Sequence, residues 1–134
     1  VKPPGSAPLD KTLPAPDPAQ VQVIRTYGPG HFLISERDWR EPVLVTPTVT
    51  TPWPVKRAEE LSAANVAAVK EGAAPAELLV VGCGSRAVFV PPPLRAALKE
   101  IGLSLEVVDT GSACRIYNVL LAEGRRVAAA LIPL

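Results

Sequence analysis

Two glycine-bearing clusters hold the residue types that could do chemistry in this chain. Gly82-Cys83-Gly84-Ser85-Arg86 gathers a thiol, a hydroxyl and a guanidinium around two glycines. Asp109-Thr110-Gly111-Ser112-Ala113-Cys114-Arg115 gathers a carboxylate, two hydroxyls, a second thiol and a second guanidinium. Such a set suits recognition of a polar group: hydroxyls and backbone N–H groups donate to oxyanions, and arginine pairs with carboxylate or phosphate. The single histidine, His31, lies in a distant part of the chain, so no general base accompanies either thiol or hydroxyl. The expectation is a binding cleft lined by Gly82, Gly84, Ser85, Arg86, Asp109, Thr110, Ser112, Cys114, Arg115 and Asn118, with no catalytic residue, metal site or cofactor assigned.

The elements around the clusters explain why they should meet. The apolar runs Leu78–Val81 and Leu105–Val108 read as strands, each ending at one cluster. Between them Leu94, Ala97, Leu98 and Ile101 recur at i, i+3, i+4 and i+7, with Pro91-Pro92-Pro93 before and Gly102 after, which marks a helix. A right-handed crossover of this kind makes the two strands parallel and brings both turns to one edge of a sheet. Open α/β sheets hold their ligands at that edge, outside the carboxyl ends of the strands.

Several residues admit two readings. Gly82-Cys83-Gly84-Ser85-Arg86-Ala87 satisfies Gly-x-Gly-x-x-Ala, but a dinucleotide site needs a helix opening directly from the turn, and Val88-Phe89-Val90 and three prolines intervene. A tight turn needing glycine fits better. Asp109, Thr110 or Ser112 can cap a helix running over Ser112–Glu123 or help its N-terminus attract an anion, with the same donors. Cys114 in the first turn is either a thiol activated by the helix dipole or a small buried side chain, and burial is favoured. Nothing in the spacing supports a Ser/His/Asp assembly with His31. Arg115, Tyr117 and Asn118 fit either a ligand or a stabilising network. Trp39 and Trp53 read as core, and Glu59-Glu60 as acidic residues complementing a helix start.

The remaining elements frame this unit. Residues 1–20 carry six prolines and few apolar anchors and read as a disordered tail. A strand over Val21–Tyr27, the turn Gly28-Pro29-Gly30 and a returning strand His31–Ser35 form a hairpin. Pro42–Thr46 reads as a further strand, Val49–Val55 as a proline-interrupted edge or loop, Arg57–Lys70 as a helix and Val127–Ile132 as a last apolar strand. The expected fold class is α/β: a single three-layer domain over 21–134, with a mixed central sheet, flanking helices and an N-terminal β-hairpin layer.

Composition narrows the function classes. A formal charge of +1 with scattered Lys and Arg gives no net-charge basis for binding nucleic acid. No apolar run reaches the roughly 18–20 residues of a membrane span. The opening residues lack a secretory leader pattern, and two cysteines make no disulfide framework. A cytoplasmic protein is expected.

Three segments carry a resemblance to a known family. Tyr27-Gly28-Pro29-Gly30-His31-Phe32, Val80–Arg86 and Val108–Leu120, with Gly-x-Gly, Asp-Thr and Ala-Cys-x-x-Tyr-Asn, resemble the Mth-type α/β domain over nearly all of 21–134. That family includes a mitochondrial assembly factor of respiratory complex I. The resemblance implies a three-layer fold on a mixed sheet, no cofactor and no established catalytic residue. It also implies a non-catalytic interaction protein assisting assembly of NADH:ubiquinone oxidoreductase, with complex I subunits or other assembly factors as partners. The alternative is a small-molecule or anion-binding protein, or an enzyme, using the same cleft through Arg86, Arg115 and the helix start at Ser112.

Overall fold

The computed structural model describes residues 21–134, and the expectation for the tail over 1–20 lies outside them. β1 (Ile24–Gly28), β2 (His31–Ile34) and β3 (Arg37–Trp39) pair antiparallel into a small sheet. Pro29-Gly30 joins β1 to β2 because proline presets φ and glycine accepts the positive φ that follows. β3 was not expected, since Arg37-Asp38-Trp39 offers one apolar residue. Pairing sets Trp39 opposite Phe32, both buried, and the Arg37 guanidinium stacks 3.9 Å from the Trp39 ring.

The second sheet holds β4 (Val43–Val45), β5 (Thr50–Pro52), β6 (Leu78–Gly82), β7 (Ser104–Val108) and β8 (Val127–Leu131) in the order β5-β4-β8-β6-β7. β6 runs parallel to both β7 and β8, whereas β4 runs antiparallel to β8 and β5, so the sheet is mixed as expected. Pro52 cannot donate to a ladder, and its place in edge strand β5 leaves no donor missing. The crossover from β6 to β7 carries α2 (Pro92–Glu100), and that from β7 back over β6 to β8 carries α3 (Thr110–Ala122). Two right-handed crossovers running in opposite directions put their helices on opposite faces.

Period-2 alternation in the strands builds a core on each face. Leu44, Leu79, Val81, Ala128 and Ala130 face one side, where they pack with Leu98 of α2, Trp53, Leu61 and Leu103. Val43, Val45, Val80, Ala129 and Leu131 face the other, against Ala113, Cys114 and Tyr117 of α3 and Ile24, Phe32, Ile34 and Trp39 of the small sheet. Central β8, Val-Ala-Ala-Ala-Leu, is buried throughout because helices or sheet cover both its faces.

The helix expected over Arg57–Lys70 is broken. A 3-10 turn at Ala58–Glu60, the four-residue α1 (Ala63–Val66) and a 3-10 turn at Ala67–Lys70 take its place. Leu61 is extended (φ −52°, ψ 131°) and buried, and Ser62 restarts the chain as a capping box with Asn65. The Asn65 side chain also accepts from Trp53 Nε1 at 3.1 Å and donates to Glu60 O at 2.9 Å. Those tertiary contacts outweigh the helix propensity of an Ala-rich run.

Candidate functional site

The turns that end β6 and β7 lie side by side. Cys83 N donates to Val108 O at 2.9 Å, Thr110 N donates to Gly84 O at 2.9 Å, and Gly84 N donates to Thr110 Oγ1 at 2.8 Å. Thr110 Oγ1 in turn donates to Ile132 O at 2.6 Å, so one buried hydroxyl joins the ends of all three parallel strands.

Each glycine of the first turn has a separate cause. A Cβ on Gly82 would stand 2.9 Å from a Leu131 methyl and 3.0 Å from both Ala113 Cβ and Thr110 Cα, so glycine lets α3 start directly on β6. Gly84 has open space around it and a φ of +97°, which other residues adopt only at a cost in strain. Residues 83–91 form no helix, so no helix terminus points at this turn in the way a dinucleotide site requires.

At the second turn Asp109 is the N-cap of α3. Its carboxylate accepts from Ser112 N at 3.1 Å and from Ser112 Oγ at 2.7 Å. Those two bonds, the hydroxyl's first, with a contribution from Arg115, hold the Asp109 carboxyl below its ordinary range. The positive end of the helix thus faces a carboxylate of its own chain. Arg115 extends the network, donating to Tyr27 Oη at 2.8 Å and to Ser112 Oγ at 3.2 Å.

Three expected cleft residues are closed to a ligand. Thr110 is fully buried and bonded on both sides. Cys114 is buried in the core beneath α3, and desolvation pushes its thiol up to about 12, against any lowering by the helix start. Asn118 spans the backbone of Ile24: its Oδ1 accepts from Ile24 N at 3.0 Å and its Nδ2 donates to Ile24 O at 2.7 Å. With Tyr117 Oη donating to Gln22 O at 2.8 Å and Arg115 on Tyr27, this face of α3 pins the small sheet. Burial raises the Tyr117 pKa above that of free tyrosine, so the hydroxyl stays a donor.

Ser85 and Arg86 are exposed, and Arg86 forms no ion pair among the described residues. Phe89, further along the same loop, is 80% exposed. Sequence reasoning passed over it as part of the spacer before the prolines. An isolated aromatic outside any strand or helix period, between Arg86 and Pro91, was the available signal. His31 sits at neither turn, and its Nδ1 lies 3.2 Å from Asp38 Oδ1 on the neighbouring strand.

Strand-end turns bridged by a buried threonine, a self-capped α3 and a small sheet fastened to that helix define a three-layer α/β domain with a polar loop edge. The chain belongs to the family described as protein of unknown function (DUF498/DUF598), whose profile matches residues 24–132. It is 37% identical over 111 residues to an uncharacterized protein of Rhodobacter capsulatus, covering 83% of this chain and 84% of that one. It is 32% identical over 117 residues to the Xenopus tropicalis NADH dehydrogenase [ubiquinone] 1 alpha subcomplex assembly factor 3, covering 87% of this chain and 64% of that protein. The chain therefore spans just under two thirds of that assembly factor. The solution structure of a Bordetella pertussis protein described as an Mth938-like domain superimposes with a TM-score of 0.74 at 28% identity, covering 92% of each chain.

Proposed function

We propose that this protein is a non-catalytic interaction protein that assists assembly of respiratory complex I, gripping a protein partner with the exposed residues of the loop Gly82–Pro91. The observation that carries the reading is Phe89, 80% exposed on the loop that also carries unpaired Arg86. Exposed aromatic and arginine side chains are the residue types that anchor protein interfaces, the aromatic ring because it buries much area at little entropic cost and the guanidinium because it presents several donors in a fixed fork. Relatives named as complex I assembly factors at about 30% identity support the process. No helix among the described residues is long and apolar enough to cross a membrane. Two free thiols suit a reducing compartment, and we place the protein in the cytoplasm.

The anion-binding alternative has less support, since Asp109 already occupies the α3 terminus and Arg115 is spent on Tyr27 and Ser112. A complementation experiment tests the proposal. In cells lacking the gene, assembled complex I falls on native gels and the intact gene restores it. Arg86→Ala/Phe89→Ala does not restore it, although both side chains are exposed and the variant's melting temperature is unchanged. Normal complex I levels in the deletion strain would overturn the assembly role. Full rescue by the double variant would overturn the loop as the gripping surface.

A further inference from the structure

A concave surface lies at the end of the large sheet away from the two turns. The pocket, of about 520 Å3, is walled by Leu44, Pro47, Val49, Val69, Ala76 and Val127. Leu44 belongs to β4, Val127 begins β8 and Ala76 precedes β6, so the pocket sits where the parallel strands start, whereas the turns of the proposed partner loop lie where they end. Most of its wall is apolar, with Thr46, Thr48, Thr51 and Glu71 as the polar lining residues. The hydroxyl of lining Thr46 donates to Val49 O and accepts from Val49 N, both at 3.1 Å, and so offers nothing to an occupant. Val49 on the rim is 50% exposed, a large aliphatic side chain with nothing covering half of it.

We propose that this pocket is the seat of the chain's own proline-rich segment, residues 1–20. The described chain begins at its rim. Gln22 N donates to Pro47 O at 3.1 Å, and Thr50 Oγ1 donates to the Gln22 side chain at 2.6 Å, where Pro47 lines the pocket and Thr50 stands between lining residues Val49 and Thr51.

The composition of residues 1–20 suits the pocket. Leu9 and Leu13 are the large aliphatic residues nearest the rim in sequence, set among Pro8, Pro14, Pro16 and Pro18. Leu13 stands eight residues before Val21, a reach of roughly 25 Å at about 3.1 Å per residue in a polyproline conformation. Proline restricts the unbound chain, which lowers the entropy lost on docking. Lys11 lies between the two leucines and Glu71 lines the pocket, so the charges are complementary. Tethering does the rest. Short linkers hold effective concentrations near the millimolar range, so an intrinsic affinity of about 0.1 mM keeps the seat filled about ten to one.

Tryptic cleavage after Lys11 in the full chain reads the seating directly, with a synthetic peptide of residues 1–20 as the unprotected reference. Cleavage in the native chain is expected to be about tenfold slower than in the peptide, matching that occupancy. Val49→Asp, a substitution at a half-exposed rim position, should bring the rate back to that of the peptide. In parallel, Leu9→Asp should shift the amide resonances of Thr48, Gly72 and Ala73 while leaving those of Ser85 and Arg86 in place. Equal rates in chain and peptide, or pocket resonances indifferent to Leu9→Asp, would overturn the proposal. Pocket resonances that move on dilution but not with Leu9→Asp would also overturn it, by making the occupant a second copy of the chain.

Discussion

Thr110 shows how much one hydroxyl can organise. It is fully buried, accepts from Gly84 N and donates to Ile132 O, so the ends of β6, β7 and β8 share a single polar atom. Thr110→Val keeps the shape and removes that atom, leaving a buried donor and an acceptor without partners. A loss of about 2–4 kcal/mol is expected from the desolvation of the two groups. It reads out as a lower urea midpoint at unchanged slope, with Thr110→Ser recovering most of the loss. An unchanged midpoint for Thr110→Val would show that the strand ends need no shared hydroxyl. The threonine was visible in the sequence as a polar residue at a helix start, where capping or ligand binding explained it equally well. Its partner Ile132 lies 22 residues away, and no local pattern reports a bond of that kind. Asn118 was ambiguous for the same reason, because its partner backbone at Ile24 is 94 residues distant.

α3 illustrates an element that sequence chemistry places well. Asp109 before it, Gly124 after it and the apolar residues between mark its limits, and the structure moves its start only from Ser112 to Thr110. The cap has a pH signature. The folded Asp109 carboxyl lies below the unfolded value of about 3.9, so its stabilising contribution is complete above that value and is lost as pH falls through the folded one. Asp109→Asn keeps an acceptor at the cap and removes the charge. The native chain should therefore exceed this variant in stability at pH 7, with the gap closing as denaturation curves are taken from about pH 4 downward. A gap constant over the whole range would mean that the charge contributes nothing. The segment Arg57–Lys70 is the counterexample. Propensity favours one continuous helix, but Leu61 must reach the core and Asn65 must serve Trp53, Ser62 and Glu60, so the run breaks into short turns.

At the scale of the molecule, two cores share one sheet. Trp53 belongs to the core beside α2 and Trp39 to the core beside α3, while β6 and β8 contribute alternate residues to both. Loss of either layer exposes those strands on one face, so the two cores should unfold together. Urea transitions followed by fluorescence in Trp39→Phe and in Trp53→Phe, each retaining one reporter, are expected to show no delay of one core behind the other within each variant when compared with far-UV circular dichroism. A fluorescence transition that precedes the loss of secondary structure in Trp53→Phe, which keeps Trp39, would make the small sheet an independent unit. The sequence by itself determined the mixed α/β class, the helix and strand pattern after Leu78 and the neighbourhood of the two turns. Period-2 and period-3.6 patterning is local, and the right-handed crossover leaves the chain few alternatives. Tertiary structure alone decided which polar residues of the turns remain accessible. Thr110, Cys114 and Asn118 are withdrawn, whereas Arg86 and Phe89 are presented, because burial and hydrogen-bond partners depend on chain segments that meet only after folding.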